Sequence, residues 1–537
     1  MNRELNGTRG LEAALDPEIA APWAPSHRRW FVVSVVAMAA FMEVLDVSIA
    51  NVAVPHIAGS LASSNDEATW VLTSYLVSNA IVLPISGWFA GAVGRKKYFM
   101  LSLAVFTLSS LLCGLAPTLG SLIFFRILQG AGGGGMQPMA QAILADAFPH
   151  ELRGQAFAVY GMTTVVAPVI GPTLGGWITD NYSWRWIFLI NIAVGIVALA
   201  LILRLVEDPP YLKELAKARI QIDYVGFGLL ALGVGCLQVL LDKGQQDDWF
   251  GSHFIVTLVI VSTVSLVALL IYEWRRKNPV IEVRLFTNFN FLSANIMMFM
   301  VGLIMFGSLV LMPLFLQTEM GYTAEIAGIV LSFGAVITLF ELPLVGRLTT
   351  KVSARSLIAV GWLAMAAGMF VSTRQVDLYV SFWSMGRLRM LQLIGLPFLF
   401  IPLTMIAYVG LPTEKNNSIA GIINFTRNIG MSFGTSIVTT MIARRSQFHQ
   451  QVLAAHLTDT NLNFRAAVQT LANMLAHAGL NGAAALDQAY ARIYQEVIGQ
   501  SVALAYIDTF KLLAVGSAVM LALVIFLKRN QPGTAPN

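Results

Sequence analysis

Residues 30–54 read WFVVSVVAMAAFMEVLDVSIANVAV, and Glu43 and Asp46 are the only charges in the stretch. A bilayer core of about 30 Å is crossed by about 20 apolar helical residues, so this segment is long enough to span. It is too long for the core of a signal peptide, and no small-residue cleavage site follows it, so it reads as a retained span. Working outward, the chain holds fourteen such runs, at about 30–54, 70–92, 98–117, 121–145, 155–179, 185–205, 222–241, 253–273, 291–317, 325–346, 356–373, 387–411, 418–443 and 501–527. Inside lipid only helices or closed barrels satisfy their own backbone, and strict two-residue alternation is absent, so the spans are helices. Composition agrees: of 537 residues, 56% are apolar and 12% charged, against about 25% charged in soluble proteins. Disorder, a nucleic-acid-binding arm and a conventional cytosolic enzyme are excluded. Cys113 and Cys236 both lie in apolar runs, which speaks against a disulfide framework or a Cys-rich metal site.

The basic clusters Arg28–Arg29, Arg95–Lys96–Lys97, Arg275–Arg276–Lys277, Arg347–Lys351–Arg355 and Lys528–Arg529 fall on one side of the predicted spans. Basic loops stay cytoplasmic, so both termini are expected there. At an offset of 259 residues Leu83-Pro84-x-x-Gly87 aligns with Leu342-Pro343-x-x-Gly346. At an offset of 263 Arg126-x-Leu128-Gln129 aligns with Arg389-x-Leu391-Gln392. The expected architecture is therefore an all-α polytopic membrane protein of two related six-helix bundles. Its parts are a cytoplasmic segment 1–29, a first bundle 30–205, two inserted spans within 222–273, and a second bundle 291–527. Parallel repeats of this kind are a transporter plan, with the substrate site between the halves near the midplane. The loop 444–500, with a helical apolar pattern over Phe464–Leu475, is either a solvated cap or a docking surface for a periplasmic partner.

Ionisable side chains within spans are functional candidates by default. Glu43 and Asp46, spaced i,i+3, share a face of the first span; two acids so close in a poor dielectric resist double ionisation, so the pair can hold and release a proton. Arg126, Glu341, Arg427, Asp508 and Lys511 complete the set. Each has a bland reading beside the functional one: Asp508 pairs with Lys511, Arg126 and Arg427 bond carbonyls or helix ends, and Glu341 snorkels to an edge. The Met- and Phe-rich stretch holding Met297, Met305 and Phe306 is either ordinary packing or an adaptable apolar pocket. Gly130-Ala-Gly132-Gly133-Gly134-Gly135 fits a dinucleotide fingerprint in letters only, since no strand precedes it; it reads as close helix packing, as do Gly171, Gly175, Gly176 and Gly430-x-x-x-Gly434. Pro168 and Pro172 should bend the fifth span. Gly430-Met-Ser432-Phe-Gly434 lacks the strand-to-helix turn a hydrolase nucleophile needs. No GxxxxGK[ST], HExxH or CxxC occurs, and no cofactor or metal is expected, His449 and His456 included.

Together these motifs resemble the fourteen-span drug:proton antiporters of the major facilitator superfamily, and among them the EmrB-type permeases. The resemblance rests on Leu45-Asp46 through Pro55, Arg126-Ile-Leu-Gln129-Gly130, Ala167-Pro168 through Gly176, Trp184 through Asn191, and Asn424 through Thr435. It implies proton coupling through Asp46 and Arg126, and antiporter-motif roles for Pro168, Gly171, Pro172, Gly175 and Gly176. Gly87, Gly94, Arg95 and Lys96 fit the motif of the loop between spans 2 and 3, but Gly91 stands where that superfamily usually has aspartate, which leaves the usual charge latch in question. The expected activity is proton-driven efflux of small hydrophobic or amphiphilic compounds across a bacterial inner membrane. Glu43, Asp46, Gln129, Met297, Met305, Phe306, Glu341 and Arg427 are the candidates for the substrate cavity, and Asp46, Glu43, Arg126 and Glu341 those for proton coupling. The resemblance also implies a periplasmic membrane-fusion (adaptor) protein and an outer-membrane channel as partners. The runner-up is an exporter of one physiological compound such as a fatty acid, siderophore or weak acid; a membrane enzyme or a solute sensor is the least favoured reading.

Overall fold

The computed structural model describes residues 26–207, 223–276, 279–412, 415–458 and 460–526. Most of the segment 1–29 and the cluster Lys528–Arg529 lie outside these residues. The described chain is helical and carries no strand. The first bundle contains α1 (Ser26–Ser60), a single turn α2 (Asn65–Ala68), α3 (Trp70–Val93), α4 (Arg95–Gly114), α5 (Leu119–Gly133), α6 (Met136–Ala147), α7 (His150–Asn181) and α8 (Trp186–Leu205). The inserted pair is α9 (Tyr224–Lys243) and α10 (His253–Arg275). There follow α11 (Phe289–Thr318), α12 (Ala324–Leu348), α13 (Ala354–Gln375), α14 (Phe382–Leu393), α15 (Leu396–Ile406), α16 (Asn416–Ala454), α17 (Leu462–His477) and α18 (Gly482–Leu523).

Eleven helices among the described residues are long and apolar enough to cross a membrane, or twelve with the bent α7. Two predicted runs fall outside that number for physical reasons. Run 121–145 is split into α5 and α6 at Gly134–Gly135, where the backbone presses on its neighbours: a Cβ on Gly134 would lie 2.7 Å from the Asn79 carbonyl. Run 418–443 sits in the 39-residue α16, whose Asn417, Asn424, Arg427 and Asn428 dilute its apolar character. Run 387–411 is also split, into α14 and α15 around Gly395, which packs on the Gly361 carbonyl. The bend in α7 is 41° and falls between Pro168 and Ile170, where proline withholds a backbone donor.

Between the halves, α3 packs on α16 and α7 on α12. The offset pairing of spans 2 with 10 and 5 with 13 exchanges these two contacts, as a two-fold relation requires. The aligned glycines make it concrete. A Cβ on Gly87 would lie 2.8 Å from the Ser418 backbone, and one on Gly346 would lie 2.9 Å from the Gly154 carbonyl. The end of the bundle holding these contacts, with the turns at Gly94 and Thr349, is called the basic end below. The inserted α9 lies against both halves: Gly235 faces Ile81 of α3, and Gln238 accepts a 2.9 Å hydrogen bond from Ser432 of α16. At the opposite end, α17 and the adjoining parts of α16 and α18 form a lobe whose apolar centre is Val468, Ala472, Leu475, Ala485 and Ala489 of α17 and α18.

Candidate functional site

The first span places its acids in two adjoining polar nests. Asp46, 2% exposed, is held by three donors from two helices, α5 and α8. Arg126 Nη1 of α5 lies 2.6 Å from Oδ2, while the amides of Gln129 (3.0 Å) and Asn191 of α8 (2.7 Å) donate to Oδ1. Arg126, wholly buried, also donates through Nε to the Val71 carbonyl at 3.1 Å and stacks 4.2 Å from the Tyr75 ring centroid. Asn191 reaches on to Ser110 at 3.0 Å. A buried charge is tolerated only when paired and hydrogen-bonded, and this nest meets that requirement around Asp46.

Glu43, 4% exposed, faces a different set. Its Oε1 accepts from Asn79 at 3.1 Å and from the Tyr75 hydroxyl at 3.5 Å, and its Oε2 from the Gln137 amide at 2.6 Å. Gln137 lies in the first turn of α6, just after the Gly134–Gly135 break. Its own carbonyl oxygen accepts from Arg427 of α16 at 2.5 Å. One amide thus joins an acid of the first half to a cation of the second. Four residues on, Gln141 and Asn424 exchange reciprocal bonds of 3.2 and 2.8 Å.

Gln137 and Arg427 line a narrow cavity of about 70 Å³ between the halves, together with Val44, Met305, Phe306, Thr338, Phe400 and Met431, among others. Of the expected cavity residues, Met305, Phe306 and Arg427 are at the wall. Asp46, Gln129 and Met297 are not: Val44 lines the cavity, and Asp46 lies about 200° further round the helix at 3.6 residues per turn, turned into its own bundle with Gln129. Met297 is buried in the packed core, two turns before Met305. Glu43 is one amide behind the wall. Glu341 adjoins the lining residue Leu342 and keeps a buried Oε2 with no hydrogen-bond partner.

The remaining expectations sort by contact. Gly171 and Gly175 of α7 pack on Ser48 and Ile49 of α1, whereas a Cβ on Gly176 would make only ordinary contact with Val52. Gly430 and Gly434 pack on the Phe299 and Leu303 carbonyls. Gly94, with φ of 97°, makes the turn into α4. Next to it Arg95 bonds the Ala142 carbonyl at 3.0 Å and pairs with Asp146, and Lys96 caps the Leu203 carbonyl at 2.8 Å. Asp146 also accepts from Asn416 across the halves at 2.8 Å, so the acid missing at Gly91 is matched by one from α6. Asp508 does not pair with Lys511 alone: Arg445 at 2.5 Å and His449 at 2.8 Å, both of α16, reach it as well. Sequence reasoning passed over Tyr75, Asn79, Gln137 and Gln141; amides and hydroxyls inside apolar helices were the available signal.

Two helical halves of matching contacts, enclosing a cavity with buried charges behind its wall, define a membrane carrier. The comparisons agree. Residues 36–435 match the family model described as Major Facilitator Superfamily. The chain is 37% identical over 492 residues to the multidrug export protein EmrB of Haemophilus influenzae, covering 92% of this chain and 94% of that one. It is 36% identical to EmrB of Escherichia coli K12 over the same shares, and 38% identical over 432 residues to the fatty acid resistance protein FarB of Neisseria gonorrhoeae, covering 80% of this chain and 83% of that one. Among solved structures, the proton:xylose symporter XylE matches 95% of this chain and 98% of its own with a TM-score of 0.60 at 14% identity, a likeness of fold. The chain belongs to the major facilitator superfamily and, within it, to the EmrB-type multidrug efflux permeases. It is a transporter, not an enzyme.

Proposed function

We propose that the chain exports hydrophobic or amphiphilic compounds across the inner membrane in exchange for protons, with both termini cytoplasmic. The observation that carries this reading is the placement of Asp46 and Glu43 on one helix, each buried among donors, with Glu43 linked through Gln137 to a cavity-lining cation of the other half. One proton moving inward releases about 2.3 kcal/mol per 100 mV of membrane potential. The cycle runs if the acids hold a proton in one orientation and lose it in the other, because only a difference in affinity between states shifts them. Arg126, Gln129 and Asn191 are the groups that would stabilise Asp46 once the proton leaves. The test is dye efflux in everted vesicles with and without an uncoupler. Asp46→Asn should insert normally and lose uncoupler-sensitive transport; uncoupler-sensitive transport at the wild-type rate would refute the role.

A narrower reading, export of acidic amphiphiles such as fatty acids, is favoured by one feature: Arg427 is the charged residue at the cavity wall, and a neutral amide is its hydrogen-bond partner there. The name of the Neisseria relative points the same way. Competition of the dye by anionic, neutral and cationic compounds distinguishes the two. The lobe of α16, α17 and α18 is the natural seat for a periplasmic adaptor protein that joins the carrier to an outer-membrane channel. Cysteine-specific cross-linking from this lobe to a co-expressed adaptor tests that assignment.

A further inference from the structure

The two halves differ where the repeat is most alike. Arg126 and Gln129 correspond to Arg389 and Gln392, and in both halves the arginine Nη1 donates to the glutamine carbonyl, at 2.8 and 3.1 Å. In the first half the guanidinium also meets the carboxylate of Asp46 and the ring of Tyr75. In the second half the matching neighbours are Ser308, 262 residues on from Asp46, and Gly334, 259 residues on from Tyr75. Arg389 donates to the Ser308 hydroxyl at 3.1 Å, and Gln392 turns its amide to Ser372 at 2.9 Å. Arg389 is 1% exposed, and no carboxylate among the described residues forms an ion pair with it. Its Nε–H is buried without a hydrogen-bond partner. Ser308, Ser372 and Gln392 are each wholly buried.

A fully desolvated guanidinium met only by neutral oxygens is a strongly unfavourable arrangement, and the usual remedy is a counter-charge within contact distance. The orphan Nε–H is a donor without an acceptor on a cation without a counter-charge, and a small anion answers both needs. The Ser308 hydroxyl, which donates to the Met305 carbonyl at 2.8 Å, has only to rotate to join it. We propose that the second half binds a buried monovalent anion of chloride size against Arg389 and Ser308, where it supplies the negative charge that Asp46 supplies in the first half. Arg389 is not among the residues lining the central cavity, so this site is separate from the cargo path and does not depend on the proton-coupling proposal.

The test is the melting temperature of the purified full-length protein in detergent, titrated with sodium chloride against sodium gluconate at constant ionic strength. The wild type should gain stability with chloride, saturably, with bromide replacing it. Ser308→Asp should place a carboxylate beside Arg389, raise the melting temperature in gluconate and abolish the chloride response. Arg389→Gln should also lose that response. In crystals soaked in bromide, anomalous density should sit beside Arg389. Equal melting of the wild type in chloride and gluconate would overturn the proposal and leave water as the group satisfying Arg389, as would a chloride response that survives in Ser308→Asp.

Discussion

At the scale of single residues, what distinguishes the acids from ordinary charges is the number of donors each collects. Asn191 is the test case, because its amide spans Asp46 at 2.7 Å and Ser110 at 3.0 Å and it has no other evident task. Asn191→Leu keeps the branched shape of the side chain and removes a hydrogen bond to a buried charge, a change worth about 2 kcal/mol. The expected outcome is a lowered melting temperature together with reduced uncoupler-sensitive efflux; a variant with unchanged values of both would show that Gln129 and Arg126 suffice. Asp46, Glu43, Arg126 and Arg427 were legible in the sequence because a charge in a span is rare and costly. Gln137 was not, since an amide in an apolar helix is cheap enough to pass for ordinary packing. Only the fold brings it between Glu43 and Arg427, residues 94 and 290 positions away.

At the scale of helices, glycine decides how closely the spans approach. Gly434 of α16 lets the Leu303 carbonyl of α11 come within 2.2 Å of where a Cβ would be, and Gly430 does the same for Phe299. Those neighbours are backbone and cannot swing aside, so the helices must separate if a side chain is added. Gly434→Ala should cost about 1–3 kcal/mol by overpacking, seen as a lower melting temperature and yield of folded protein. Gly91 provides the contrast, with nothing within 4 Å of its Cβ position. Gly91→Asp, which restores the residue usual in the superfamily, should fold and transport as the wild type does. A large loss there would mean that the Arg95–Asp146 pair tolerates no second acid. The sequence pattern located these glycine clusters as contacts without naming partners, because a small residue records that something comes close but not what. It also took 121–145 and 387–411 for unbroken helices. Their apolar character continues through Gly134 and Gly395, and the breaks come from tertiary packing.

At the scale of the whole molecule, the two halves meet at the basic end through small residues and amides: Gly87 on Ser418, Gly346 on Gly154, Gln141 on Asn424 and Asn416 on Asp146. Small residues and amides make a seam that closes tightly without a large apolar area to separate, so parting it costs mainly hydrogen bonds that water can replace. If the carrier alternates by rocking its halves, this seam must open once per cycle. Gly154 and Thr349 offer a way to hold it shut. A Cβ on Gly154 would stand 3.3 Å from the Thr349 Cβ, close to the 3.5–4.5 Å usual across a disulfide. The native cysteines do not interfere, since Cys113 is buried and Cys236, on α9, lies apart from this seam. The double variant Gly154→Cys with Thr349→Cys should cross-link under mild oxidation, stop efflux in vesicles and recover on reduction to its own reduced rate. Thr349→Cys alone should remain active, Gly154→Cys alone should lose some activity because its Cβ meets the Gly346 carbonyl at 2.9 Å, and both single variants should be indifferent to oxidant. A fully cross-linked carrier that still transported at the reduced rate would place the moving boundary elsewhere and leave the two-fold seam a static joint.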